Sequence, residues 1–318
     1  MRTGSLSSRS ARASCAGALL LLAVAVGGCP ADPVEETSSS DAVMVTEGRI
    51  TAAMNRYLDN RFPEPYEQFV VTAMFPRFDL EYADLADGLL AAQVPDPDLA
   101  LDTCAPPIPV LNLHKRRPRP GDTAMELLDV GNLSLELDDE LRTVPTRTFP
   151  DLLKVIDGVT YSAEEPQEAR YLPGDAYTFR ATGGDAVGPF EVVLEAPDDL
   201  GEVRVDGVVP TEQVPIVERG EDVEITWEGQ GYGDEVVAEF NWTSLGLPWK
   251  MTCRMRDDGA FVIPGELTRA LQDPLRTGDE ELTLSRVRQV AFRSQGLTSG
   301  WFAFVVSARF RVRFESTR

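Results

Sequence analysis

The sequence predicts a mainly β protein of two tandem β-sandwich-like domains with a few short helices. Three observations carry that prediction. In the last stretch, Phe302, Phe304, Val306, Ala308, Phe310, Val312 and Phe314 alternate with Arg309, Arg311, Arg313 and Glu315. A strict period of two marks a half-buried antiparallel strand. Counting that stretch, seven short β-type segments follow residue 198, at about 203–209, 222–228, 235–242, 249–255, 260–263, 282–292 and 301–314. Short strands at such spacing are the pattern of a sandwich. Before residue 197 the same alternation recurs at Leu133, Leu135 and Leu137, at Tyr177, Phe179 and Ala181, and at Phe190, Val192 and Leu194.

Taken in order, the chain opens on a leader. Arg2, Arg9 and Arg12 precede an apolar run over residues 16–26, which ends in Val26-Gly27-Gly28-Cys29. That run is too short to span a bilayer, which needs about 20 apolar residues. Residues 30–45 are rich in Pro, Ser and acids and read as a disordered tether, unable to bury enough surface to fold. Ile50, Ala53, Met54, Tyr57 and Leu58 fall at helical spacing and predict a short amphipathic helix ended by Pro63 and Pro65. The β-branched and aromatic run over residues 68–75 predicts a strand, and Tyr82, Leu85, Leu89 and Leu90 a second short helix or an anchored loop. Residues 94–109 hold five prolines and read as irregular loop.

A Gly-Gly pair at residues 183–184 joins two strand candidates. Positive φ at glycine explains it as a turn, and no GxxxxGK[ST] pattern follows to make it a phosphate loop. The boundary between the domains is placed at residues 196–200. Beyond it, Asp258-Gly259 predicts a tight hairpin turn, and Pro264 opens a short helix over 264–271. The organisation expected is therefore signal peptide 1–28, lipidated Cys and tether 29–45, a β-rich domain 46–197 and a second domain 198–318.

Positive n-region, apolar h-region and Val26-Gly27-Gly28-Cys29 occur in the order of a lipobox, and the leader resembles those of bacterial lipoproteins of the signal-peptidase-II class. The resemblance implies cleavage before Cys29, a diacylglycerol thioether on its sulfur and an acylated N-terminus. Several acyl chains give stable anchoring where one is marginal. Residue 30 is Pro, not the Asp that retains some lipoproteins at the inner membrane, so the expected location is the cell envelope at the outer membrane. Trp227 ahead of Cys253 resembles the Trp and second Cys of immunoglobulin domains. No Cys precedes Trp227 in that segment, and Met251 stands where a tyrosine corner places Tyr, so the likeness is to the broad immunoglobulin-like sandwich class. Asp129-Val130-Gly131, the run from Ala181 to Phe190 and the run from Cys253 to Pro264 are similar to uncharacterised surface lipoproteins of myxobacterial type, which imply no activity.

The chain carries 30 Lys and Arg against 52 Asp and Glu, a net charge of −22. Such a chain repels nucleic acid, whose binding needs clustered cations. The acidity reads either as solubility or as capacity for a divalent cation or a cationic partner. The basic cluster His114-Lys115-Arg116-Arg117-Pro118-Arg119 reads as a solvated turn or as a docking patch. Cys15 falls in the leader, and Cys104 and Cys253 remain after Cys29, either as a disulfide in an oxidising compartment or as two buried thiols. His114 is the one histidine, which excludes a His-based zinc site, and no nucleophile motif accompanies it. Asp96, Asp98 and Asp102 are weak calcium candidates that do not fit the EF-hand loop.

No cofactor and no catalytic residue is expected. The function expected is that of a lipid-anchored envelope protein with a non-catalytic binding or structural role, held to the membrane by its anchor and meeting a protein partner in the envelope. Two alternatives are an accessory subunit of an envelope secretion or adhesion complex, and a hydrolase with an unrecognised site.

Overall fold

The computed structural model describes residues 43–58, 60, 66–83, 86, 99–109, 123–137, 140–149, 155–165, 171–231, 233–244, 247–270 and 279–315. The leader, the lipobox, most of the tether, Asp96, Asp98 and the 114–119 cluster lie outside them. The fold is predominantly β. In chain order the strands are β1 (Met44–Leu58), β2 (Tyr66–Met74), β3 (Pro76–Asp79), β4 (Thr103–Cys104), β5 (Ile108–Pro109), β6 (Met125–Leu127) and β7 (Leu133–Leu137). Then come β8 (Glu140–Val144), β9 (Thr146–Thr148), β10 (Ile156–Glu165), β11 (Ala176–Ala181), β12 (Phe190–Glu195) and β13 (Arg204–Val205). After these run β14 (Ile216–Glu218), β15 (Val223–Thr226), β16 (Glu235–Ser244), β17 (Leu247–Arg256) and β18 (Ala260–Ile263). One short helix, α1 (Gly265–Ala270), precedes β19 (Asp279–Phe292) and β20 (Ser299–Glu315).

Among the described residues these strands form three sheets. The broad one has 13 strands, with the order β2-β10-β6-β3-β1-β20-β19-β16-β17-β4 along its main path. A four-stranded sheet runs β12-β11-β7-β8, and a three-stranded one β13-β15-β18. Strand β20 is the spine. It pairs antiparallel with β19 from residue 300 to 313 and parallel with β1 from residue 299 to 310. Because β2 also pairs with β1, the path β1-β2-β10-β6-β3 closes on itself as a ring of strands. The pairing leaves few open edges there.

The helix expected over residues 50–58 is instead part of strand β1, and the reason is burial. Ile50, Ala52 and Met54 pack into the core, while Thr51, Ala53 and Asn55 on the opposite face are also buried. A strand covered on both faces loses the period of two, so chance matches to helical spacing are all that remain. A second correction concerns Asp258-Gly259. It does not close a hairpin, because β17 belongs to the broad sheet whereas β18 pairs with β15 in the three-stranded one. The turn is a corner at which the chain changes sheets. Of the second predicted helix, the described residues show a 3-10 turn, Leu80–Tyr82, capped by the Asp79 side chain, and helical backbone at Ala83 and Ala86; Leu85, Leu89 and Leu90 lie outside them.

Two large apolar cores lie on the inner face of the broad sheet. The first joins Ile50, Met54, Phe69, Phe302 and Phe304 to Leu133, Tyr177, Phe179 and Phe190 of the four-stranded sheet. Tyr177 meets Phe304 edge-on with ring centroids 4.8 Å apart, and Phe179 meets Phe302 at 4.9 Å. Such edge-to-face pairs add about 0.5–1.5 kcal/mol beyond area burial. The second joins Val236, Phe240, Met251, Leu282, Leu284, Phe310 and Val312 to Val205, Val223, Ile225 and Ile263 of the three-stranded sheet. The hand-over falls at residues 196–200: Ala196 packs in the first core, Leu200 in the second. Strands β19 and β20 serve both cores. Phe292, Phe302 and Phe304 sit in the first, and Leu282, Leu284 and Phe310 in the second.

Candidate functional site: a charged seam between two cores

Along the inner face of β19 the order is Leu282, Leu284, Arg286, Arg288, Val290, Phe292. The two arginines therefore fall where one apolar core stops and the other begins. Arg286 is fully buried. A guanidinium has five N–H donors, and a buried one is tolerated only when they find acceptors. Its Nε donates to Asp257 Oδ2 at 2.7 Å and Nη2 to Asp257 Oδ1 at 2.9 Å, a bidentate pair. Nη2 also donates to the Glu228 carbonyl, and Nη1 to the carbonyls of Asp198, at 2.9 Å, and Asp199. All five donors are used. Asp257 is itself buried and accepts a further bond from Trp227 Nε1 at 2.7 Å.

Arg288 repeats the motif closer to solvent. Its Nε and Nη2 bond Asp234 Oδ1 and Oδ2 at 2.7 and 2.8 Å, and Nη1 reaches the Glu195 carbonyl at 3.3 Å. The hydrogen bond to Asp234 raises its pKa further above an already high value, so this cation does not titrate. Arg56, from β1, bonds the Asp199 carboxylate at 3.2 Å and pairs with Glu67 at 3.0 Å. The Tyr171 hydroxyl donates to the Pro197 carbonyl. Burial, then the nearby Asp199 and Asp198 carboxylates, push the Tyr171 pKa well above that of an ordinary phenol.

The seam thereby holds the connection between the cores at successive carbonyls. Glu195 O accepts from Arg288, Ala196 O from Gly174 N–H, Pro197 O from Tyr171, Asp198 O and Asp199 O from Arg286, and Leu200 O from Glu228 N–H. Residues 195–200 are thus not a free linker. Sequence reasoning missed this constellation, although one signal for it was present. Two arginines in the apolar register of a strand imply buried, paired charge.

A second feature is the edge beyond β17. Cys104 and Cys253 stand opposite each other in the antiparallel β4–β17 pair and are joined by a disulfide with an S–S distance of 2.02 Å. Cys253 is fully buried in the second core, and Cys104 packs against it. Arg254 fixes the same segment, bonding Glu235 through Nε and Nη2, both at 2.7 Å, and the Leu99 carbonyl through Nη1 at 2.7 Å. Asp102, the described member of the calcium candidates, has φ +59°. Its carboxylate accepts the Arg256 N–H at 3.0 Å and pairs with the Arg256 side chain at 3.0 Å. Asp102 therefore serves a local turn and ion pair. Among the described residues no group of three or more His, Cys, Asp or Glu side chains is placed to hold a metal ion.

A third feature is the loop knot at the far end of the first core. The buried Tyr161 hydroxyl accepts the Val130 N–H at 2.8 Å and bonds Asp129 Oδ1 at 2.7 Å, with the Gly131 carbonyl at 3.0 Å. Burial, reinforced by the Asp129 carboxylate, raises its pKa well above the phenol range. Gly131, at φ +75°, lies so close to residues 182–183 that a Cβ would fall 2.4 Å from the Gly183 carbonyl oxygen. The Gly-Gly turn and the Asp129-Val130-Gly131 segment are thus two halves of one contact. The residues between β11 and β12 form the antiparallel connection that the turn residues predict.

No family model matches the chain, and no curated protein does. Among solved structures it is similar to the yeast delta-COP-I mu-homology domain at 9% identity, over 85% of this chain and 98% of that one, with a TM-score of 0.23. A likeness of that size carries no assignment of fold, role or partner.

Proposed function

We propose that this chain is a lipid-anchored cell-envelope protein with a non-catalytic binding or structural role. The observation that carries the reading is Val26-Gly27-Gly28-Cys29 at the end of a short apolar run behind three arginines. The acyl chains would be its membrane contact, the outer membrane its location and a protein of the envelope its partner. Two features of the folded body support it. The Cys104–Cys253 disulfide suits an oxidising compartment. Arg286 and Arg288 of the seam bond the Asp257 and Asp234 carboxylates and backbone carbonyls, an arrangement that stiffens a scaffold. We read each core as one sandwich, the second of immunoglobulin-like type. The support is that each core lies between the broad sheet and one small sheet.

Replacing Cys29 by Ala and fractionating membranes tests this reading. The wild-type chain is expected with the membranes, carrying a diacylglyceryl mass on its N-terminal peptide, and the variant in the soluble fraction. A variant that still sediments with the outer membrane overturns it.

A further inference from the structure

The described chain begins with exposed apolar residues. Val43 is 61% exposed and Met44 53%, and Leu80, from the 3-10 turn after β3, is 57% exposed. They are neighbours in space. The Leu80 N–H donates to the Val43 carbonyl at 3.0 Å, and Met44 stands opposite Asp79 in the β1–β3 register. The pair Val43 and Leu80 continues the ladder of Val45 and Phe78, which belong to the small core of Phe78, Ala86, Met125 and Leu127. The apolar stripe therefore runs out of a core and ends in solvent. Single exposed apolar residues are ordinary on a protein surface. Others here, such as Leu141, Val193 and Val262, stand on separate strands, whereas these three share one strand end, Val43 and Leu80 on the face of Phe78 and Met44, opposite Asp79, on the other.

Position identifies the occupant. Val43 is fourteen residues beyond Cys29. Even fully extended, that length of chain spans only about 50 Å. If Cys29 is held in a bilayer, this tip is the part of the described body tied closest to the lipid along the chain. Its neighbours Asp79 and Glu81 are acidic, with the Glu81 N–H bonded to the Asp79 carboxylate. In a chain of net charge −22 they favour a zwitterionic over an anionic headgroup surface. We propose that Val43, Met44 and Leu80 form a membrane-seating tip that enters the headgroup boundary of a zwitterionic lipid surface and sets the orientation of the body on its anchor. This deepens the lipid-anchor reading and rests on it.

The test separates the two readings by supplying the anchor artificially. The chain from residue 29 on, with Cys29→Ser and a hexahistidine tag at that end, is held on phosphatidylcholine vesicles by a nickel-chelating lipid. With Cys104 and Cys253 bonded, Leu80→Cys adds a single thiol for an environment-sensitive dye, and Leu141→Cys gives a control site that is 65% exposed in the native chain. The dye at residue 80 is expected to be quenched at least twofold by spin-labelled phosphatidylcholine, and the dye at residue 141 to be unaffected. Adding Val43→Asp and Met44→Asp should abolish the quenching while the chain stays tethered, and vesicles rich in anionic lipid should weaken it. Equal quenching at both sites, or none at residue 80, overturns the proposal. So does a signal at residue 80 that depends on protein density without quenching, which would assign the tip to a second copy of the chain. Failure of natural lipidation is read independently, from the mass of the N-terminal peptide.

Discussion

Replacing Arg286 by Met tests whether the seam holds the two cores together. The side chains are similar in length, so the change removes the charge and five hydrogen bonds with little loss of volume. It leaves the buried Asp257 carboxylate without its bidentate partner and the carbonyls of Asp198, Asp199 and Glu228 without their donor. Breaking a buried ion pair from one side costs about 3–5 kcal/mol. Orphaned buried acceptors add about 1–3 kcal/mol each where water cannot reach them. Relaxation at residues 198–199, which are partly exposed, keeps the sum near the lower end, at about 5 kcal/mol. Guanidinium unfolding followed by fluorescence measures it as a lowered midpoint. Arg286→Lys should recover only part of the loss, because an ammonium has three donors for five acceptor contacts and no planar fork. Removing both charges, as Arg286→Met with Asp257→Leu, should cost less than the sum of the single changes, since no uncompensated charge remains. A loss below about 1 kcal/mol for Arg286→Met, or strict additivity in the double variant, refutes the argument that the pair is desolvated and shared.

Other consequences are read by similar means. Cys104→Ser with Cys253→Ser should lower stability by up to about 5 kcal/mol in the chain-entropy model, given a separation of 149 residues. Reductant should lower the melting temperature of the wild type and leave the double variant unchanged. Gly131→Ala forces a Cβ to 2.4 Å from a carbonyl oxygen at φ +75° and should destabilise by about 1–3 kcal/mol, whereas Gly174→Ala, with nothing within 4 Å of its Cβ, carries only the positive-φ cost of about 1 kcal/mol. Tyr161 and Tyr171 have folded-state pKa values raised above the unfolded one by burial first. An unfolded chain therefore loses these protons before the folded one as pH rises. Their contribution is complete below about pH 10 and declines above it, so stability should fall with rising pH from there, and more shallowly in Tyr161→Phe, which has one such proton fewer to lose. A Tyr161→Phe variant whose stability falls as steeply as the wild type's above about pH 10 counts against the burial that raises the Tyr161 pKa.

Sequence and fold agree where one face of a strand is buried and the other wet. Phe190, Val192 and Leu194 alternate with exposed Glu191, Val193 and Glu195, and the strand there is β12. Most other segments expected after residue 198 are also strands, but β20 is not the half-buried strand its alternation predicts: it is covered on both faces from residue 302 to 308, with Ala303, Val305 and Ser307 buried, and keeps the period only toward its end. The agreement fails at β1, where burial on both faces erases the period, and at Asp258-Gly259, where local turn chemistry is correct but cannot say which sheet receives the next strand. Short pieces such as β4, β5 and β14 escape notice because two or three residues hold no period.

For the candidate sites the division is similar. Local chemistry in the sequence determines the mainly β class, the resemblance of Cys29 to an acylation site and the acidic balance, because each depends on residues near one another in the chain. It supplied both cysteines but not their meeting, which needs β4 to come alongside β17 across 149 residues. Nor could it bring Trp227, Asp257, Arg286 and the carbonyls of 198, 199 and 228 to one point. Only the tertiary structure decided that the stretch at 196–200 is a clamped seam. A carbonyl's partners are set by which strands pack opposite it, and that information is spread over the whole chain.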